Sequence, residues 1–243
     1  MGEMGHFRTT ASHTIGIPHL VELLREVPAG AGAARYRDAV VEQNVLGRPT
    51  HAGRLRTYRH LRELYVLDPA DVRFAALRRL WDQDAEAQHL LAGILAFTRD
   101  ELLRASWPAI SRALPGTPVT SEDLSNVVAE AYAGSLSTAT IGKIGRNTGS
   151  CWTQTGHLAG RVRKVRTTVD ARPAAIAFAA YLGHFDGGRA LGVLDNPWSR
   201  LLDLPEGGAL DALRRAHGAG LLDLQAAGRV VEVGFSYLEG GAR

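Results

Sequence analysis

The sequence predicts a mainly helical protein: a helical bundle body carrying two helix-turn-helix or winged-helix-like modules and a few short β-strands. Three observations predict it. Apolar residues recur every three or four positions through most of the 243 residues, which is the spacing of one face of an α-helix. Hydroxyl or acidic residues precede several of these runs and glycine follows them, as caps do. Strand-like patterning is confined to two stretches, near 161–169 and 229–237.

The elements follow in chain order. Residues 1–14 are polar and read as a flexible leader. Leu20, Val21, Leu23 and Leu24 mark a short helix, broken by Pro28 and the Ala/Gly run 29–34. Tyr36, Val40 and Val41 mark a second helix, ending near Leu46-Gly47. Thr50 caps a third from His51 to Tyr65, with Leu55, Tyr58, Leu61 and Tyr65 on one face and Arg56, Arg59 and His60 opposite. Helix, short turn and Arg-rich helix make the first helix-turn-helix pattern. Phe74, Leu77 and Trp81 belong to one body helix. Leu90, Leu91, Ile94, Leu95, Leu102 and Leu103 belong to another, where Asp100 and Glu101 are expected to be solvated. The turn Leu114-Pro-Gly-Thr-Pro118 divides an N-terminal helical domain, 15–114, from a C-terminal winged-helix-like domain, 119–243.

After that turn, Thr120 with Asp123 resembles a capping box, and Leu124, Val127, Val128 and Tyr132 form the stripe of a helix that Gly134 ends. Ser137 caps the next helix, which runs to about Thr155 and stops at Gly156. Its inner face is Ile141, Ile144, Thr148, Cys151 and Trp152. Lys143, Asn147, Ser150, Gln154 and His157 lie on an outer face, with Arg146 at its edge. Three glycines, 142, 145 and 149, weaken this helix. The basic stretch 161–169 reads as a wing, 174–185 as an apolar helix, and Leu210, Leu213 and Ala216 as a helix stopped by Gly218 and Gly220. A strand over 231–237 completes a second helix–glycine–strand pattern.

Charge is segregated. The 28 cations, all arginine except Lys143 and Lys164, exceed the acids by only three. Yet Leu46–Arg62 holds five arginines (48, 54, 56, 59 and 62) and no acid, and 131–169 holds Lys143, Arg146, Arg161, Arg163, Lys164 and Arg166 and no acid. The remainder of the chain is therefore net acidic. Local positive fields of this kind are the footprint of a polyanion binder. The candidate DNA contacts are Arg54, Arg56, Arg59 and His60 on the first basic helix, and Lys143, Arg146, Asn147, Ser150 and Gln154 on the second. Arg161, Arg163, Lys164 and Arg166 join them from the wing. Asn and Gln pair with adenine edges, Arg and Lys with guanine edges or phosphates.

Catalytic and metal signatures are missing. There is no phosphate-cradling lysine loop, no His-Glu-x-x-His and no nucleophile elbow, the nine histidines are scattered, and the lone Cys151 sits on an apolar face. The sequence thus predicts no enzyme activity, no cofactor and no metal. A single cysteine fits a reducing cytoplasm, and the longest apolar run, Ala174–Leu182, is about half of a membrane span. Two other readings compete with DNA binding. One is a protein–protein adaptor whose basic faces meet acidic partner surfaces. The other is an RNA binder, since Gly142-Lys-Ile-Gly145 is similar to the Gly-x-x-Gly loop of KH domains.

Several stretches together resemble the BrxA family of BREX phage-defence systems. They are Glu42-Gln-Asn-Val-Leu-Gly-Arg-Pro-Thr50 with the Arg-rich helix after it, and Leu136-Ser-x-x-Thr-Ile-x-Lys-Ile144 running to Gly156-His-Leu158. Arg172-Pro173 with the Ala-rich helix to Leu182-Gly183, and Gly220-Leu-Leu222 through Ala227-Gly228 to Val231-Glu-Val233, complete the set, about four-fifths of the chain. The long N-terminal segment and the glycines within 138–155 depart from the family pattern. The resemblance implies a small, helical, non-enzymatic binder of double-stranded DNA with helix-turn-helix modules. It would work beside a methyltransferase, an ATPase and other defence components; the short apolar runs of this chain argue against a membrane partner.

Overall fold

The structure, a computed structural model, describes residues 8–227 and 230–240. Among these it is mainly helical. The helices are α1 (Ile17–Glu26), α2 (Ala33–Val41), α3 (His51–Tyr65), α4 (Val72–Trp81), α5 (Gln88–Arg99), α6 (Glu101–Ser111), α7 (Ser121–Ala131), α8 (Thr138–Gln154), α9 (Pro173–Phe185) and α10 (Ala209–Gly218). Two antiparallel hairpins accompany them: β1 (Leu158–Ala159) with β2 (Val165–Arg166), and β3 (Asp223–Ala227) with β4 (Val230–Gly234). The expected strand near 229–237 is β4, and Arg229 lies outside the described residues. Its partner β3 was not legible as a strand. No helix among the described residues is long and apolar enough to cross a membrane.

The chain divides into two compact units, and the cuts differ from the boundary that the sequence suggests. One unit gathers 68–94 and the chain from Val169 onward. The other gathers the chain up to Leu67 with 95–168, so a cut falls inside α5. The Leu114–Pro118 turn lies within the second unit because its backbone is already paired there. Gly116 N donates to the Arg166 carbonyl, Arg166 N to that of Thr117, and Val119 N to that of Lys164.

In the first unit α9 is apolar on every side, and each residue from Ala174 to Gly183 is buried. A helix without a polar face becomes the centre of a core. Here α4, α10 and the 3-10 turns at Ala190–Leu194 and Ser199–Leu202 pack around it. Arg172, at the N-cap of α9, is clamped by Asp84 at 2.6 Å and Glu86 at 3.0 Å.

The second unit contains the order of a winged helix. After α6 comes an edge segment, where Pro118 bridges Val165. Then follow α7, α8 and the β1–β2 hairpin, so β2 lies between the edge segment and β1. Proline at the edge costs no ladder bond, since the flanking residues make them. The capping signals hold here. Thr120 and Asp123 form a complete capping box on α7, and Ser137 accepts the Thr140 amide at the start of α8. Leu102, Val128 and Ile144 form a fully buried cluster joining α6, α7 and α8.

Four expectations about the backbone and packing of this part of the chain need correction. Residues 8–14, read as part of a flexible leader, are packed: Thr9 and Thr10 are buried in a 3-10 turn against α8 and α6. Residues 1–7 of that leader lie outside the described residues. Asp100, expected to be solvated, is fully buried. Its carboxylate accepts Thr10 N at 2.9 Å, Thr10 Oγ1 at 2.7 Å and, as the N-cap of α6, Leu103 N at 2.8 Å. It also splits the expected single helix over Leu90–Leu103 into α5 and α6. Finally, α2 ends at Val41 rather than near Leu46, because Asn44 turns left-handed (φ 54°) and its side chain accepts Arg48 N. Nine residues therefore connect α2 to α3.

The glycines that count against α8 are its packing surface. A methyl group at Gly145 would collide with Ser125 Oγ and the Ser121 carbonyl of α7, and one at Gly149 would stand 3.2 Å from Leu124 Cδ1. At Gly142 the nearest outside atom is the mobile tip of Arg146, at 3.7 Å. Gly145→Ala is expected to lower stability by about 1–3 kcal/mol through overpacking. Gly142→Ala should be neutral or raise it by up to about 1 kcal/mol through helix propensity. Urea unfolding of the two variants checks both.

Candidate nucleic-acid interface

Two of the four sides of α8 carry the surprise. Ile144, Thr148 and Trp152 face inward as expected, with Trp152 Nε1 donating to Ser106 Oγ at 2.9 Å. The Trp107 and Trp152 rings meet at a tilt, and His157 packs edge to face with both. His157, expected on the outer face, is thus fully buried. Gly145 and Gly149 face α7. The third side, carrying Asn147, Cys151 and Gln154, is covered by the segment before α1.

There, Asn147 Nδ2 donates to the Thr10 carbonyl at 2.9 Å, and Gln154 Oε1 accepts the Ile17 amide at 3.0 Å. Cys151 Sγ accepts the Ile15 amide at 3.3 Å, and the Ile15 carbonyl accepts Tyr65 Oη at 2.7 Å. Asn147 and Gln154 were expected to read base edges. Instead they satisfy backbone groups of a buried segment, which an unpaired amide there would otherwise destabilise. Burial also pushes the Cys151 thiol well above its ordinary range, as expected of a packing cysteine.

What remains open on α8 is a narrow strip. Thr138, Ala139, Lys143 and Arg146 are exposed, and Ser150 is half-buried with its hydroxyl on the Arg146 carbonyl. Beside the strip stands the wing loop, with Arg161, Val162 and Arg163 exposed and Val162 as much as 96% so. Lys164 is only half-buried. Its amine reaches Thr153 Oγ1 at 2.7 Å, and burial lowers its pKa. Between strip, wing and the first turn of α7 lies a cleft of about 380 Å³, lined by Arg146, Ser150, Arg161, Arg163, Lys164 and Thr120, and by no acid among the described residues.

Arg166 belongs to the fold instead. It is 6% exposed, and its guanidinium donates to the carbonyls of Ile110 (3.0 Å), His157 (3.5 Å) and Thr167. On the first basic helix, Arg54 is half-buried and also engaged with the fold. Its Nη1 donates to the Val41 carbonyl at 2.8 Å, a cation at the C-terminus of α2. Arg56 and Arg59 are exposed, as expected, while Leu61 is buried and Leu55 and Tyr58 are half-buried. His60 is half-buried against His13. Gly142-Lys-Ile-Gly145 lies inside α8 and forms no loop, so the KH-like clamp has no counterpart here.

Sequence reasoning missed the α8 N-terminus, Thr138 and Ala139, and the Thr120 edge of the cleft. The capping hydroxyls were the signal, since a capped helix start beside a basic strip is where a ligand's phosphate or base edge is met. Among the described residues no group of three His, Cys, Asp or Glu is placed to hold a metal ion.

Asn147→Ala and Gln154→Ala are each expected to lower stability by about 1–2 kcal/mol, as removal of a partner from a buried backbone group does. Thermal unfolding measures this. Cys151 should resist a thiol reagent in the native protein and react once urea unfolds it. The chain matches no protein-family model and no curated protein.

Proposed function

We propose that the protein binds double-stranded DNA through its winged unit, without catalysis of its own. The observation that carries this reading is the acid-free cleft between α8, the wing and the first turn of α7. The exposed start of α8, from Thr138 to Lys143, enters the major groove, where a recognition helix makes its base contacts. Arg146, Arg161 and Arg163 meet the flanking phosphates, and Lys164 supports the base of the wing. None of Lys143, Arg146, Arg161 and Arg163 is paired with a carboxylate among the described residues. A duplex phosphate therefore has no internal competitor there. Arg56 and Arg59 offer a second basic surface on the same unit.

The resemblance to the BrxA family, carried by the motifs quoted above, supports a finer reading. The protein would be a cytoplasmic accessory of a BREX-type phage-defence system, acting with its methyltransferase and ATPase. Co-purification with those proteins from a host carrying their genes tests that part.

For DNA binding, the replacement of Arg161 and Arg163 by Ala should flatten the slope of log affinity against log salt by about two, close to 0.9 per lost phosphate contact. Different duplex sequences should weaken alike. Arg166→Ala should leave the slope unchanged and lower stability by about 2–3 kcal/mol, because a buried guanidinium that donates to three backbone carbonyls is lost. An unchanged slope in the double wing variant would overturn the assignment.

A further inference from the structure

A second cleft, also of about 380 Å³, opens between the segment before α1, the Arg48–Thr50 turn and the first turns of α3. His13, His19, Arg48, Arg56 and His60 line it, and among the described residues no acid does. The His13 and His60 rings stack with centroids 3.8 Å apart. Arg48 Nη2 stands 2.6 Å from His19 Nε2. A guanidinium only donates, so that ring nitrogen accepts and His19 is neutral. Arg48 Nε is buried and meets no acceptor among the described residues. The cleft thus gathers donors from three chain segments at the positive end of α3.

We propose that this cleft is a phosphate-binding site, with Arg48 and Arg56 as fixed cations and His13, His19 and His60 as further donors. A carboxylate is planar and is satisfied by one guanidinium fork. Donors converging from several directions suit a tetrahedral oxyanion better, and the volume leaves room for what the phosphate is attached to. The site shares no lining residue with the winged cleft. Its phosphate comes either from a free phosphorylated compound or from a nucleic-acid backbone.

Binding there is linked to protons. Burial holds His13 below its ordinary range, helped by Lys143 on α8, Arg56 and Arg48, with Glu63 opposing. His60 is lowered by burial and then by His13, with Arg56 and Arg59 acting in the same sense and Glu63 against them. His19 is lowered by burial and by Arg48. Glu63 is itself engaged, accepting Thr9 Oγ1 at 2.9 Å. An anion in the cleft reverses the net repulsion, so His13 and His60 take up protons as it binds and affinity rises as pH falls.

The test titrates the histidine ring protons of the whole protein by NMR, with and without inorganic pyrophosphate. Pyrophosphate should raise the His13 and His60 midpoints, and R48Q combined with R56Q should weaken it at least about tenfold. R56Q alone, at an exposed position, keeps the test valid should Arg48 prove necessary for folding. Unmoved histidines, or pyrophosphate affinity unchanged in the R56Q and double variants, would overturn the proposal. A short DNA duplex provides the second arm. If it moves the same resonances, the phosphate is that of the nucleic-acid backbone; if only pyrophosphate does, the ligand is a free phosphorylated compound. R161A with R163A separates the two sites, since it should impair duplex binding at the winged cleft and leave pyrophosphate affinity intact.

Discussion

The winged unit depends on how closely α7 can approach α8. At Gly145 the two backbones come near enough that Ser125 and the Ser121 carbonyl occupy the space of a side chain, and at Gly149 Leu124 does nearly the same. Glycine in a helix interior carries a conformational-entropy cost of roughly 1 kcal/mol. That cost is offset by what the approach permits. The fully buried contact of Leu102, Val128 and Ile144 closes beside it. On the other side, the Lys164 methylenes run past Gly149 and anchor the wing. With bulkier residues at 145 and 149 the wing and the helix strip would not flank one cleft.

The local signals of this arrangement were legible in the sequence. Thr120 with Asp123, Ser137, Thr50 and Gly156 mark helix ends by short-range hydrogen bonds and backbone freedom, which a few neighbouring residues determine. The fully apolar 174–182 stretch likewise announces a core helix. What the sequence concealed is how many sides of α8 are covered. Periodicity divides a helix into two faces, but Asn147 and Gln154 occupy a third, polar side that is buried against backbone amides and carbonyls near residues 10–17. No spacing rule reports a partner that distant.

Charge counting failed in a related way. An acid-free window shows which cations lack nearby carboxylates in sequence, yet a guanidinium is satisfied equally well by carbonyls. Arg54 and Arg166 are held in that manner, one at the end of α2 and one beneath the wing. The opposite error concerns His13 and His19, which sequence reading treated as scattered. Folding brings them beside Arg48, Arg56 and His60, residues that lie in the first basic window. Asp100 shows the same limitation for acids, since an N-cap facing solvent and one facing Thr10 look alike until the tertiary contacts are known.

The wall that residues 9–17 build along α8 has a consequence for the order in which the chain matures. Ile17 and Gln154 are 137 positions apart, as are Thr10 and Asn147. Between them the whole of 68–94 is made, which belongs to the other unit and itself waits for the chain beyond Val169. Neither unit is complete in one uninterrupted stretch. During synthesis, then, the first segment stays without its partner until α8 has been made, while Ile15 and Ile17, buried in the folded protein, lack that cover. Long-range closure of this kind slows folding and leaves apolar surface open to wrong partners. The nascent protein is therefore at its most vulnerable just before α8 leaves the ribosome.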